Sequence, residues 1–174
     1  MNILIYRYGS ICEPDVITGF QALGNQVSEI TAEIYNKNLP PSEGVTLLKN
    51  ELLTYSYDFV FSINFFPFIS EVCNIFQIRY ICQTVDSPVM ELYSNSICNP
   101  WNRIFMFDKA QYDEFSPKNP AGIFHLPLAS NPTRWESVIN NATPSQIDRY
   151  SGDVSFVGSL YTEKKSISPP EKCT

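Results

Sequence analysis

The sequence has few charged residues, and few of those are positive. Charged side chains make up 17% of the 174 residues, and 12 Lys and Arg stand against 18 Asp and Glu, for a formal net charge of −6. A nucleic-acid-binding domain needs a basic face to offset phosphate charge. The composition therefore argues against nucleic acid as a partner. Backbone amides and helix N-termini can still bind the phosphate of a small ligand.

Histidine and paired cysteines, the usual zinc ligands, are also scarce. His125 is the only histidine, and no CxxC pair occurs among the five cysteines, which are Cys12, Cys73, Cys82, Cys98 and Cys173. Without ligand pairs close in sequence we expect no metal site. The chain has no GxSxG motif and no cysteine with a credible base partner, so a nucleophilic triad finds no support.

Long apolar runs are absent, and none approaches the length of a membrane span. Residues 1–6 enter a short apolar run directly, without the basic region or the small-residue cleavage site of a signal peptide. This pattern predicts a first strand. We therefore expect a cytoplasmic protein with no membrane span.

Short apolar runs alternate with helical patterns along the chain. Strands are predicted at 2–7, 26–30, 58–63, 79–84, 103–107 and 122–126, and helices at 14–23, 42–53, 67–78, 109–115 and within 131–152. Such alternation is typical of a parallel sheet covered on both faces. The predicted fold class is α/β, a Rossmann-like parallel sheet with helices on both faces. Its ligand crevice should lie beyond the carboxyl ends of the strands.

The chain is 44% hydrophobic, which supports one substantial core at this length. We expect one Rossmann-like domain over residues 1–150. Residues 151–161, a polar connector and a strand that ends in glycine, are typical of the start of a second domain. Residues 162–174 have the composition of a disordered tail.

Two loops after predicted strands are candidates for ligand contact. Tyr8, Gly9 and Ser10 follow the first strand, where glycine either lets a ligand approach the backbone or simply allows a turn. A GxGxxG dinucleotide motif is absent. Asn64 and Phe65 follow the third strand, where an amide beside an exposed aromatic suits a sugar ring or a base. Helix capping by Asn64, with packed Phe rings, explains the same pattern.

Three titratable side chains near strand ends suggest either proton transfer or capping. Asp86, followed by Ser87, comes after the fourth strand and is either a general base or a helix N-cap. Asp108 is best explained as the N-cap of the helix at 109–115. His125 titrates near neutrality, which suits catalysis, but a sole histidine in an apolar strand is more often structural.

Four segments occur in a defined order, namely Thr84–Pro88, Phe107–Lys109, His125–Ala129 and Asp153–Tyr161. Together they resemble the N-terminal region of the CgeB-like (spore-maturation-type) bacterial glycosyltransferases, over nearly all of residues 1–161. The resemblance implies the GT-B architecture, in which two Rossmann-like domains face each other across a cleft, without a metal or other cofactor at the reaction centre. The N-terminal domain then receives the acceptor, and the C-terminal domain binds the nucleotide-sugar donor.

The resemblance also implies roles for individual residues. Asp86, or in second place His125, would take the acceptor proton. The acceptor side would be lined by Tyr8, Gly9, Ser10, Asn64, Phe65 and Ser87. Gly158 and Ser159 would begin the donor side. The resemblance further implies a sugar or glycan as the acceptor. The chain departs from the family by stopping there, so we expect a missing C-terminal donor domain and no sugar transfer by the isolated chain.

Two other functions stay open. The chain could be a non-enzymatic Rossmann-like module that binds a small ligand or another protein, with self-association through an exposed interdomain face. A flavodoxin-like receiver or nucleotide binder is the weaker alternative, because the sequence lacks an acidic cluster and phosphate-loop glycines.

Overall fold

A computed structural model describes residues 1–155 of the chain and shows one six-stranded, all-parallel sheet. The strands are β1 (Asn2–Tyr6), β2 (Gln26–Ile30), β3 (Phe59–Ile63), β4 (Arg79–Gln83), β5 (Asn102–Met106) and β6 (Ile123–His125). Their order across the sheet is β2-β1-β3-β4-β5-β6, and every neighbouring pair is parallel. The predicted α/β, Rossmann-like fold is confirmed.

Seven α-helices occur within the described residues. They are α1 (Glu13–Ala22), α2 (Ala32–Tyr35), α3 (Pro41–Thr54), α4 (Pro67–Phe76), α5 (Lys109–Phe115), α6 (Pro132–Asn141) and α7 (Pro144–Tyr150). Short 3₁₀ helices at Met90–Tyr93, Asn95–Cys98 and Ser116–Lys118 lie on either side of β5 and α5. The amphipathic helix predicted within 131–152 is confirmed as α6. The polar connector predicted after it is wrong over Pro144–Tyr150, because Thr143 and Gln146 form a capping box that starts the separate helix α7.

The sheet buries a different set of side chains on each face. Ile3 and Ile5 of β1 pack with Ile17 of α1 on one face. Leu4 and Tyr6 pack with a larger cluster that includes residues of α3, α4 and α5 on the other face. Successive side chains of a strand point to opposite faces, so the near-continuous apolar strands are explained by burial on both sides.

The chain divides into two compact units, the first spanning Met1–Ser130 and the second beginning at Asn131. The first unit contains the whole sheet, and the second contains α6 and α7. The predicted domain boundary at residue 150 stays a prediction. The strand predicted from residue 153 and the tail predicted from residue 162 extend beyond the described residues. None of the helices within residues 1–155 is both long and apolar enough to cross a bilayer.

Candidate functional site

The strand order places the reversal point of the sheet, and with it the expected ligand crevice, between the carboxyl ends of β1 and β3. The chain runs from β1 outward to β2 on one side, and from β3 outward to β6 on the other. Doubly wound sheets bind their ligands at such a reversal point. Tyr8 follows β1 and Asn64 follows β3, so the first and third predicted strands bring their candidate residues to the two sides of this crevice.

Asn64 connects the loops that follow β1, β3 and β4 through its hydrogen bonds. Its φ of 57° lies in the left-handed region, which Asn tolerates better than most residues. Its backbone N–H donates to Gln83 O at 2.8 Å, and its Oδ1 accepts from the Val85 N–H at 2.9 Å. The capping prediction for Asn64 is wrong, because α4 begins after Phe66 as its N-cap residue. The amide instead fixes the loop after β4.

The Asn64 side chain also joins Tyr8 to Asp86. Its Nδ2 donates to Asp86 Oδ2 at 2.6 Å and to the Tyr8 hydroxyl at 3.0 Å. Asp86 is exposed, and its other oxygen, Oδ1, has no hydrogen-bond partner within residues 1–155. Because the next helical segment begins only after Val89, the alternative that Asp86 is an N-cap is wrong. Its carboxylate is oriented by Asn64, and Oδ1 is available to accept a hydrogen bond.

The Tyr8 hydroxyl remains a donor at neutral pH. Partial burial raises the pKa of Tyr8, and the negative charge of Asp86 raises it further, while hydrogen bonds with Ser10 and Asn64 oppose the shift. The hydroxyl oxygen accepts from Asn64, so its own proton can be donated to a ligand. This line of three side chains therefore presents a donor at one end and an acceptor at the other.

The aromatic ring near this line is Phe66, not Phe65. The prediction of an exposed Phe65 ring is wrong, because Phe65 is 1% exposed and packs 5.8 Å from the Tyr80 ring, centroid to centroid. Phe66 is half-buried and lies 5.5 Å from the Tyr8 ring. Burial decides between two adjacent phenylalanines, and their adjacency in the sequence gives no sign of which one turns inward.

The loop after β1 is closed by a residue that sequence reasoning missed. The Glu13 carboxylate accepts from the N–H groups of Tyr8 at 2.9 Å and Gly9 at 3.1 Å, and from Arg7 Nε at 3.0 Å. Gly9 has a φ of 94°, which confirms the turn interpretation of this glycine. Ser10 Oγ accepts from the Cys12 N–H at 3.4 Å. The only available signal, an acidic residue in the first turn of a helix, is too common to predict this contact.

Ser87 and Asp108 form a second polar pair at the same edge. Asp108 is the N-cap of α5, as predicted, since its Oδ1 accepts from the Ala110 N–H at 2.8 Å. Its Oδ2 accepts from Ser87 Oγ, and this hydrogen bond lowers the pKa of the Asp108 carboxyl. Ser87 is thereby engaged with its own chain.

His125 lies at the exposed end of β6, away from Asp86. Its Nε2 is 3.2 Å from Phe107 O, and its ring lies 5.7 Å from that of Tyr112. The strands β4 and β6 are separated by β5, a distance of about 10 Å for two strand spacings. The two side chains are therefore too far apart to act on the same hydroxyl.

Two buried polar atoms lie close to Asp86 without a hydrogen-bond partner within residues 1–155. They are Thr84 Oγ1 and Gln111 Oε1. The other amide atom of Gln111, Nε2, donates to Asp86 O at 3.5 Å. Unpaired buried polar groups cost free energy and are uncommon in folded proteins. Their position beside Asp86 adds unused hydrogen-bonding capacity to this edge of the sheet.

A groove of about 470 Å³ lies at the opposite edge, before β3, β4 and β5, with Tyr55, Tyr57, Asp58, Arg79 and Trp101 among its lining residues. This groove and the strand-end rule thus indicate different edges. We favour the carboxyl edge, because oriented polar groups from four strand ends converge there, and convergent polar groups rather than volume give a site its chemistry.

No group of three or more potential metal ligands occurs within the described part of the chain. Gly158 and Ser159, the predicted donor-side residues, lie outside the described residues. The sequence matches no protein-family model and no curated protein. The functional assignment therefore depends on the geometry of the carboxyl edge and on the resemblance of the four sequence segments.

Proposed function

We propose that this chain is the acceptor-side domain of a glycosyltransferase, which moves a sugar from a nucleotide-sugar to an acceptor hydroxyl. The observation that carries the proposal is the hydrogen-bonded line Tyr8–Asn64–Asp86 along the carboxyl ends of β1, β3 and β4. A hydroxyl bound there can accept from Tyr8 and donate to Asp86. Carboxylates, amides and aromatic rings are the groups that hydroxyl-rich ligands need.

Asp86 is the proposed general base. The acceptor O–H gives its proton to the Asp86 carboxylate while its oxygen bonds to the anomeric carbon of the donor. The nucleotide leaves with the electron pair of the broken C–O bond. Asn64 is a positioning residue, since its Nδ2 donates to Asp86 Oδ2 at 2.6 Å and leaves Oδ1 available for the acceptor hydroxyl.

The donor would be bound by a second domain, which the described residues do not supply. Catalysis requires the reacting groups to be held within a few ångströms of one another. We therefore expect the 174-residue chain to bind acceptor sugars without transferring sugar. Sugar transfer by the purified chain would contradict this assignment of the donor to another domain.

Binding of neutral sugars by saturation-transfer NMR tests the site itself. We expect the substitution Asp86→Asn to weaken binding of a neutral monosaccharide by about tenfold, the equivalent of one lost charged hydrogen bond. The matched control is Asp113→Asn, which removes an exposed carboxylate of α5 whose ion-pair partner among residues 1–155 is Lys109. Equal binding by wild type and both variants would refute the site.

A second candidate function is a non-enzymatic small-ligand module that uses the groove at the opposite edge. Tyr55 and Trp101 supply ring faces there, and Arg79 is exposed. Trp101 fluorescence, followed in a Trp135→Phe background, would report occupancy. Quenching by a ligand whose affinity is unaffected by Asp86→Asn would favour this function over sugar transfer.

A further inference from the structure

The Glu13 side chain is buried inside the loop that follows β1. It is 1% exposed. Its two oxygens accept hydrogen bonds from three donors, the N–H groups of Tyr8 and Gly9 and Arg7 Nε, and the Gly9 N–H is shared between both oxygens. A buried carboxylate is costly unless it is fully paired, so this loop is built around the charge.

The place that Glu13 fills is the usual position of a bound anion. In doubly wound sheets, the backbone amides after the first strand and the N-terminus of the next helix hold the phosphate of a ligand. Here α1 begins at Glu13 itself, and the amides of Tyr8 and Gly9 already point at its carboxylate. The chain's own carboxylate therefore stands where a ligand phosphate would stand.

The remaining charges at this edge also disfavour an anion. The two cations nearest the loop are engaged, because Arg7 pairs with both Glu13 and Glu29 and Lys37 donates to Tyr8 O. The exposed carboxylate of Asp86 and the half-buried carboxylate of Asp108 lie farther along the same edge. A site lined by one sign of charge repels ligands of that sign.

We infer that the ligand of this site is a neutral or positively charged hydroxyl compound, such as an unmodified or amino sugar, and that the loop after β1 accepts no phosphate. The sugar nature of the ligand rests on the proposed function. The exclusion of phosphate from the loop rests on Glu13 and on the charges around it, and is independent of that function.

The first test compares glucose, glucosamine and glucose 6-phosphate by saturation-transfer NMR on the 174-residue chain. Glucose 6-phosphate should bind about tenfold more weakly than glucose, and glucosamine at least as tightly as glucose, with both differences reduced at high salt. Tighter or equal binding of glucose 6-phosphate would overturn the inference. If none of the three binds, the proposed function fails and the second test still decides the role of Glu13.

The second test needs no sugar. The Gly9 amide resonance of the wild-type chain should not move when inorganic phosphate is added, whereas in Glu13→Ala it should move and saturate. Phosphate should also raise the melting temperature of Glu13→Ala. The matched control is Glu43→Ala, which removes an exposed acidic residue from the first turn of α3 and should gain no phosphate response. If Glu13→Ala does not fold, a wild-type Gly9 amide that saturates with phosphate still overturns the inference, and one that stays fixed supports it.

Discussion

Replacing Asn64 separates the cost of its backbone conformation from the value of its hydrogen bonds. Asn64→Ala removes the side-chain bonds to Val85, Asp86 and Tyr8 and places a Cβ-bearing residue without a local polar partner at a φ of 57°. Losing the bond to the Val85 N–H should cost about 1 kcal/mol. The left-handed backbone should cost about 1 kcal/mol more. The bond to exposed Asp86 adds less, since water replaces it.

Asn64→Gly loses the same bonds but adopts the left-handed conformation without strain. We therefore expect Asn64→Ala to lower the free energy of unfolding by about 2–3 kcal/mol, and Asn64→Gly by about 1 kcal/mol less than that. Urea unfolding, followed by far-ultraviolet circular dichroism and tryptophan fluorescence, measures both, with an unchanged dependence on urea concentration as the check on two-state behaviour.

Gln77 provides the control, because it also has a positive φ, 54°, but caps the end of α4 without a side-chain hydrogen bond in the described region. Gln77→Gly should therefore stabilise the chain by about 0.5–1 kcal/mol. The reasoning would be refuted if Asn64→Ala proved as stable as Asn64→Gly, or if both matched the wild type.

Two further predictions concern stability. Burial raises the pKa values of Tyr6 and Tyr80 above the ordinary range, and Glu33 raises that of Tyr6 further. The two protonated hydroxyls therefore contribute to the stability of the folded chain. That contribution is complete below about pH 10 and is lost as the pH rises through the pKa values of the folded state. The urea midpoint should therefore fall above pH 10, and a flat profile to pH 11 would contradict the assignment. Gly122→Ala places a Cβ 2.6 Å from Asn119 Nδ2 and 2.8 Å from a backbone oxygen, which should cost about 1–3 kcal/mol. Gly19 is an exposed helical position with open space around it, so Gly19→Ala should instead stabilise the chain by up to about 1 kcal/mol. Thermal unfolding measures both alanine variants, and equal melting temperatures would contradict the tight packing at Gly122.

The strands were predictable because both faces of this sheet are buried, and its strands are therefore mostly apolar in sequence. The five residues of β3 are all buried, and four of them are apolar residues that favour strands, with only Ser62 between them. The sharpest turns were predictable too, since Gly24 after α1 adopts a φ of 77°, the usual end of a helix. The sequence also contains the signal for the break between α6 and α7, the capping box of Thr143 and Gln146. The amphipathic pattern continues across this break and hides it.

The site was only partly predictable because its contacts join residues far apart in the sequence. Strand ends indicated Tyr8, Asn64 and Asp86, and the structure links these three by hydrogen bonds. The inward turn of Glu13 depends on Arg7 and on the conformation of Gly9, which no linear spacing reveals. The choice between Phe65 and Phe66 depends likewise on which ring finds Tyr80 in the core.

The order of the strands has a consequence for folding during synthesis. Within the sheet, paired residues of β1 and β2 are 24 positions apart in the sequence, and paired residues of β1 and β3 are 56 positions apart. Closing the longer loop costs only about 1 kcal/mol more, because loop entropy grows with the logarithm of length. Once β3 has left the ribosome, each later strand is added beside the one made just before it. From that point the growing polypeptide can extend the sheet in a single direction, with every new strand meeting a partner already in place.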